Sequence, residues 1–230
     1  MKIGLFGGTF DPIHWGHLRS AEEVREAFRL DRILFIPSSI PPHKERKDAS
    51  DAGDRLAMTR LATASHPDFA VSDVEIARPG KSYSIDTLRH FAGKLGRNDA
   101  LYFILGMDAF REIGSWKDFQ ELFSLSHFIT TSRPKCKDLR ALGDIPVAAR
   151  KSFCYDSKTN SYRHKSGTRL HFFKLTDIAI SASEIRAQVK AGKSIRYLVP
   201  PEVESYIKRR GLYRRARRRK NGFGGNRLVG

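Results

Sequence analysis

The chain has 230 residues, of which 40% are hydrophobic, so we expect one sizeable domain with a real core rather than wholesale disorder. Its two cysteines, Cys136 and Cys154, are too few for a disulfide framework or a zinc site, and no apolar run reaches the roughly 18 residues of a membrane span. The net charge of +17 favours a polyanionic partner, but nine of the basic residues lie in 208–220, which makes about half of the excess a feature of the C-terminus.

Two scattered cysteines fit a reducing compartment, so we expect a cytoplasmic protein. The N-terminal apolar run is too short for a signal peptide and ends in glycines. Short apolar runs bounded by Gly, Pro or charged residues predict strands at 2–6, 32–37, 70–76, 101–105 and 127–131. Apolar residues at helical spacing predict helices at 16–30, 51–65, 84–95, within 108–123, at 181–191 and at 201–210.

Alternating strands and helices with continuously apolar strands indicate an α/β fold, a doubly wound, Rossmann-like parallel sheet with helices on both faces and a small C-terminal helical part. Ligands of such folds bind at the carboxyl ends of the strands, where Gly7, Gly8, the loop after Pro37 and Gly106 fall. We predict a domain over 1–212. Within it, 135–170 is an elaborated insert, with 153–155 and 170–173 as the strands of a hairpin. The basic tail, 213–230, is expected to be disordered.

The segment after the first strand has the composition of a phosphate site. Gly7 and Gly8 allow a tight turn and a close approach to an anion, and His14 and His17 follow on either side of Gly16. If a helix begins there, both imidazoles lie in its first turn, at its positive end. The alternative is that they are capping or core histidines. A metal site is disfavoured because no third ligand is nearby.

The whole segment from Gly7 to His17 resembles the His-x-Gly-His signature of the nucleotidyltransferase superfamily, in the long form found in bacterial nicotinate-nucleotide adenylyltransferases. Further segments resemble that family in the same order. They are Pro41-Pro42-His43-Lys44, Tyr83–Leu88, Leu105–Asp108, Ser115-Trp116, Ser132-Arg133-Pro134 and Ile180–Arg186. The resemblance covers residues 1–212.

The resemblance implies that AMP passes from ATP to nicotinate mononucleotide, giving deamido-NAD and pyrophosphate, with Mg²⁺ carried on the ATP phosphates. The catalytic residues it implies are His14, His17, Lys44 and Arg186. The ATP-binding residues it implies are Gly7, Gly8, Thr9, Phe10, His14, His17, Gly106, Ser181, Ser183 and Arg186. The substrate-binding residues it implies are Thr9, Lys44, Thr87, Asp108, Trp116 and Arg133. Among these, Trp116 would stack on the pyridine ring, Thr87 would hydrogen-bond near the nicotinate carboxylate and Asp108 would take a ribose hydroxyl.

The chain departs from the family pattern in three places. Ala182 replaces a hydroxyl residue in the closing motif, the stretch 135–170 is longer than expected, and the Arg-rich tail has no counterpart. Phosphopantetheine and cytidylyl transferases are the alternative enzymes, and a nucleic-acid-binding protein, driven by the tail, is a disfavoured alternative of another class. The sequence leaves open a homo-oligomer and the preference for the acid or the amide of the pyridine nucleotide.

Overall fold

The computed structural model describes residues 1–39, 49–132 and 142–214. Its strands are β1 (Lys2–Gly8), β2 (Arg32–Pro37), β3 (Phe69–Val71), β4 (Ala100–Gly106), β5 (His127–Ser132), β6 (Phe153–Asp156), β7 (Ser161–His164) and β8 (Arg169–Lys174). Its helices are α1 (Trp15–Phe28), α2 (Ala52–Thr63), α3 (Val74–Ala77), α4 (Ser84–Ala92), α5 (Met107–Arg111), α6 (Phe119–Leu125), α7 (Val147–Arg150), α8 (Ala182–Lys190) and α9 (Pro201–Arg210). The described residues also form two 3-10 turns, Ile113–Ser115 and Leu142–Asp144.

All eight strands form one sheet in the order β3-β2-β1-β4-β5-β8-β7-β6. The six from β3 to β8 along this order are parallel, and only β6 and β7 run antiparallel to their neighbours. The strand order reverses direction between β1 and β4, and such a switch point opens a crevice above the carboxyl ends of the two strands. The predicted doubly wound α/β fold is confirmed.

The helices cover both faces of the sheet, and each face has its own hydrophobic core. One face carries α4, α5 and α6, and its buried side chains include Leu5, Leu88, Phe103, Phe110 and Phe128. The other carries α1, α2, α8 and α9, and its buried side chains include Leu18, Phe35, Met58, Ile185 and Val203. This division follows from the strands, because successive side chains point to opposite faces. No helix within the described ranges is long and apolar enough to cross a membrane.

Two predicted elements were wrong. The predicted strand 70–76 ends at Val71, and Val74–Ala77 is one helical turn, because Ser72 Oγ accepts the amide of Val74 and the Asp73 carbonyl accepts the amide of Ala77 at 2.8 Å. The strand Phe153–Asp156 pairs with Ser161–His164 rather than with 170–173. The latter stretch instead extends the parallel sheet beside β5. A strand as short and polar as β7 was not recognisable from its sequence alone.

The C-terminal end of the described chain also differs from expectation. Leu212 and Tyr213 are partly buried and pack against the core beneath α9, although the sequence placed Tyr213 in a disordered tail. The remainder of that predicted tail, 215–230, lies outside the described residues. The folded domain therefore continues at least through Tyr213.

Candidate active site

An opening lies above the adjacent ends of β1 and β4. Gly7 and Gly106 are both exposed, and a Cβ built on either would meet no atom within 4 Å. Gly8 is different, because a Cβ there would stand 2.8 Å from the ring of buried Phe10. Phe10 itself has a left-handed backbone, with φ at 48°. The glycines thus keep the strand ends bare on one side and let the loop after β1 fold back tightly on the other.

The two histidines of the opening segment stand together at the start of α1. His14 is the residue before the helix, and its ring stacks on that of His17 with centroids 3.7 Å apart. The His14 amide donates to Nδ1 of His17 at 3.3 Å, so the proton of a neutral His17 ring lies on Nε2. A Cβ at Gly16 would stand 3.0 Å from His14 Nδ1, which explains the glycine between the histidines. His17 therefore caps the helix and is also held in a fixed orientation.

The start of α8 adjoins this segment. Ser181 precedes the helix and its Oγ accepts the amide of Glu184 at 3.2 Å, while its hydroxyl lies 3.2 Å from that of exposed Ser183. Arg186 donates from Nη1 to the carbonyl of Asp11 at 2.6 Å. The structure thus brings the closing motif of the chain against the opening one. Ala182, the departure from the family pattern, is the first residue of α8 and supplies no hydroxyl there.

Trp116 and Asp108 belong to the opposite face of the sheet. Asp108 is exposed in the first turn of α5, directly after β4. Trp116 follows the first 3-10 turn and is half-buried, with its ring edge-on to Phe103 at 6.4 Å. The two side chains lie on the segment that leaves the strand end at Gly106. This segment packs on the face of the sheet opposite to α1 and α8.

Thr87 is placed otherwise than its predicted role requires. Its side chain is 1% exposed, and its hydroxyl donates to Oε1 of Glu75 at 2.8 Å. Burial raises the pKa of the Glu75 carboxyl, and hydrogen bonds from Thr87 and Ser82 act against that shift. The hydroxyl of Thr87 therefore links α4 to Glu75 in α3. In this structure it does not point to solvent, where a nicotinate carboxylate could accept from it. Lys44 and Arg133 lie outside the described residues.

Asp11 has a position that the sequence analysis missed. Its side chain is 4% exposed, its Oδ1 accepts the hydroxyl of Tyr213 at 2.6 Å, and its Oδ2 accepts the amide of Ser50 at 3.2 Å. Burial and the neighbouring Asp11 carboxylate raise the pKa of Tyr213. The Asp-Pro pair inside the motif was the only available signal, since nothing local to Asp11 indicates partners 39 and 202 residues away.

Arg55 was also missed. The spacing of apolar residues in 51–65 indicated Leu56, Met58, Leu61 and Ala62 as core candidates, yet Leu61 is 36% exposed and Arg55 is 1% exposed. The guanidinium is hydrogen-bonded to three backbone carbonyls. An amphipathic pattern assigns an arginine to the solvent side of a helix, so the sequence carried no signal for this burial.

No group of three or more His, Cys, Asp or Glu side chains in the described ranges is arranged to hold a metal ion. The arrangement instead offers cations and fixed donors. Several donors converge around the loop after β1. They are the stacked imidazoles, the amino ends of α1 and α8, and the guanidinium of Arg186. Such a set is suited to phosphate groups, whose oxygens accept hydrogen bonds from helix ends and cations.

Comparison with known proteins gives consistent matches over most of the chain. The model of the cytidylyltransferase-like family matches residues 5–188. The chain is similar to a probable nicotinate-nucleotide adenylyltransferase of Syntrophotalea carbinolica, with 51% identity over 216 residues, 93% of this chain and 98% of the relative. It is also similar to a probable nicotinate-nucleotide adenylyltransferase of Geobacter sulfurreducens, with 44% identity over 213 residues, 93% of this chain and 98% of the relative.

Among solved structures, the fold is similar to that of a Plasmodium falciparum nicotinic acid mononucleotide adenylyltransferase complexed with NaAD. The TM-score is 0.70 at 20% sequence identity, over 92% of this chain and 97% of the other. A second structure of that enzyme, complexed with APC, gives 0.68 at 19% identity, over 92% and 96%. At such low identity these matches establish the fold alone.

Proposed function

The chain belongs to the nicotinate-nucleotide adenylyltransferase family, and from this premise we propose that the opening above β1 and β4 is where its reaction takes place. The enzyme transfers AMP from ATP to nicotinate mononucleotide, giving deamido-NAD and pyrophosphate, a step of NAD biosynthesis. The observation that carries the location is the stacked His14–His17 pair at the start of α1, beside the bare strand ends.

In the proposed reaction, a 5′-phosphate oxygen of the mononucleotide attacks the α-phosphorus of ATP in line. The bond from that phosphorus to the oxygen bridging to the β-phosphate breaks, and pyrophosphate leaves. Little covalent chemistry is asked of the protein, so catalysis rests on positioning and charge stabilisation. No side chain needs to form a covalent intermediate.

We assign His14 and His17 to the α-phosphate and its bridging oxygen. The bond from the His14 amide to Nδ1 of His17 directs the ring proton to Nε2, which makes this nitrogen a donor. The ring is held before the substrate arrives, so no reorganisation is needed as charge develops in the transition state. The positive end of α1 acts in the same direction. Gly7, Gly8, Thr9 and Phe10 shape the loop along which the triphosphate lies.

We assign Arg186 to the β- and γ-phosphates and the departing pyrophosphate. Its bond to the Asp11 carbonyl holds the guanidinium beside the opening segment, where a fixed cation offsets the growing negative charge. Ser181 and Ser183 would add hydroxyls and the amino end of α8 to the same anion. We assign Lys44, a second cation, to the same phosphates.

On the acceptor side, Trp116 would stack on the pyridine ring, whose positive charge is attracted to an aromatic face. Asp108 would accept a ribose hydroxyl, and Gly106 would let the nucleotide approach the end of β4. Arg133 would contribute cationic contacts at the rim, and Thr9 keeps its proposed role in substrate binding. Because the Thr87 hydroxyl is engaged by Glu75, we assign Thr87 to the support of the first turn of α4 at the nicotinate end.

The family uses ATP with a divalent cation, and we propose that this cation is Mg²⁺ bound to the ATP phosphates. Mg²⁺ retains several waters and is commonly held by substrate phosphates rather than by a protein cage. When bound, it would neutralise part of the charge on the triphosphate. We also propose that the enzyme works in the cytoplasm, where ATP is supplied.

A pyrophosphate-release assay with three acceptors tests the assignment. We expect turnover with nicotinate mononucleotide, less with its amide and none with phosphopantetheine. Turnover with phosphopantetheine alone would favour the alternative transferase class. Absence of turnover with both pyridine nucleotides would refute the proposed reaction. The ratio for acid over amide measures the specificity that the sequence left open.

A further inference from the structure

Arg55, in the first turn of α2, is an almost completely buried arginine. Its side chain is 1% exposed and is the largest of the fully buried side chains in the described residues. Arginine is almost never fully buried unless its charge is compensated, because removing a cation from water is costly. A buried guanidinium therefore has to be accounted for by what it holds.

Arg55 holds three backbone carbonyls from three separate positions of the chain. Nη1 donates to the carbonyl of Thr9 at 2.8 Å, Nη2 to that of Ser39 at 2.9 Å and Nε to that of Ser50 at 3.1 Å. Thr9 lies in the loop after β1. Ser39 and Ser50 lie after β2, one before and one after residues 40–48. One planar group thus links the loops that follow two neighbouring strands, β1 and β2.

Two of the three clamped positions, Ser39 and Ser50, are bonded further, so the guanidinium is the centre of a network. The Ser50 amide donates to Oδ2 of Asp11, inside the opening segment. The Ser39 amide donates to Oγ of Ser82 at 3.2 Å, and Ser82 in turn hydrogen-bonds Glu75, the partner of Thr87. The network therefore runs from the phosphate side of the opening to α4 on the acceptor side.

We propose that Arg55 is a positioning residue of the enzyme. It does not reach the substrates, but it sets the backbone of Thr9 relative to Ser39 and Ser50 and so fixes the loop that leads to His14 and His17. The proposal rests on the proposed function in one respect only, the location of the reaction beside Thr9.

The geometry requires an arginine rather than any cation. A guanidinium presents several N–H groups in one rigid plane, whereas a lysine ammonium is a single flexible point that cannot span three carbonyls in fixed directions. Loss of the clamp would remove the donor from three partly buried carbonyls and would let the loop after β1 shift. A displacement of about 1 Å in a positioning element can lower a rate about a hundredfold.

The test uses Arg55→Ala and Arg55→Lys, with Arg60→Ala as the matched control on the same helix. Arg60 is exposed and pairs with Asp73 at the surface. We expect kcat/KM for ATP, per folded molecule, to fall about a hundredfold in Arg55→Ala. Added guanidinium ion, at a concentration well below the denaturing range, should occupy the vacated site. It should restore kcat/KM of Arg55→Ala to at least about a tenth of the wild-type value. Arg60→Ala should keep wild-type kcat/KM and should not respond to guanidinium.

Melting curves of each variant give the folded fraction. If Arg55→Ala does not fold, Arg55→Lys decides, because it keeps the charge. We then expect a protein that is still folded at the assay temperature, with kcat/KM reduced at least about tenfold. Wild-type kcat/KM in a folded Arg55 variant, or no response of Arg55→Ala to guanidinium, would overturn the proposal. Failure of the wild-type protein to turn over in the same assay would instead count against the proposed function.

Discussion

At the scale of single residues, the His14–His17 pair shows that a structural and a chemical role can coincide. His17 caps α1 by accepting the amide of His14, which was the alternative explanation for these histidines. The same bond determines which ring nitrogen carries the proton, and a neutral ring with Nδ1 accepting must present Nε2–H. The capping interaction therefore prepares the donor that we assign to the α-phosphate.

Two substitutions of His17 separate these roles. In His17→Asn the amide oxygen can replace Nδ1 as the cap acceptor, but the donor at Nε2 is lost; His17→Ala loses both. We expect both variants to lower turnover by at least about two orders of magnitude, the scale of one positioned transition-state donor. Only His17→Ala should also lose stability, by about 1 kcal/mol. A near-wild-type rate of pyrophosphate release in His17→Asn would remove His17 from catalysis.

Trp116 tests the acceptor side. Its ring packs edge-on to Phe103 and is partly exposed. Trp116→Ala should mainly raise the KM for nicotinate mononucleotide, because the stacking surface is lost, while the KM for ATP stays close to wild type. Trp116→Phe, which keeps an aromatic face, should restore most of the affinity. An equal rise in both KM values would show that the residue only supports the core.

At the scale of elements, the site is assembled from parts distant in sequence. α1 supplies the histidines, α8 brings Arg186 onto the Asp11 carbonyl, and the segment after α9 brings Tyr213 onto the Asp11 carboxylate. Tyr213 adopts a left-handed backbone, with φ at 63°. The C-terminal end of the domain thereby closes against the opening motif, which a tail would not do.

Tyr213→Phe should lower the free energy of unfolding by about 2 kcal/mol, since a hydrogen bond to a buried charged group is lost. The measurement is urea unfolding of the full chain. Deletion of 214–230 is the matched control, because it removes most of the tail's charge but keeps the Tyr213 hydroxyl.

We expect the deletion to leave turnover unchanged. Loss of turnover in the deletion, together with loss of salt-sensitive nucleic-acid binding, would favour the alternative partner.

At the scale of the whole molecule, stability should depend on pH through His171. This residue lies half-buried on β8, edge-on to the Phe28 ring at 5.0 Å, and faces His127 and Arg169. Burial, followed by the charges of His127 and Arg169, lowers its pKa from 6.5 to about 4. Below pH 6.5 the unfolded chain therefore takes up a proton that the folded protein refuses. This contribution to stability is lost progressively as pH falls from 6.5 to about 4.

The melting temperature, measured across that range, should fall less steeply for His171→Leu than for the wild type. Phe173→Leu is the control, because Phe173 packs on the same Phe28 ring but cannot titrate. It should lower the melting temperature by a similar amount at every pH. Equal pH slopes in the wild type and His171→Leu would contradict the assignment.

Local sequence was enough to predict the fold class, the helix that begins at the His14–His17 segment, and the family. These depend on local quantities, namely apolar periodicity, glycine positions and motif order, that are written in consecutive residues. The tertiary structure alone decided that Arg55 is buried, that Thr87 donates to Glu75 and that Tyr213 joins Asp11. Each of these depends on a polar group finding a partner from a distant segment. Such long-range pairing is set by how the elements pack, so no local pattern around these residues reveals it.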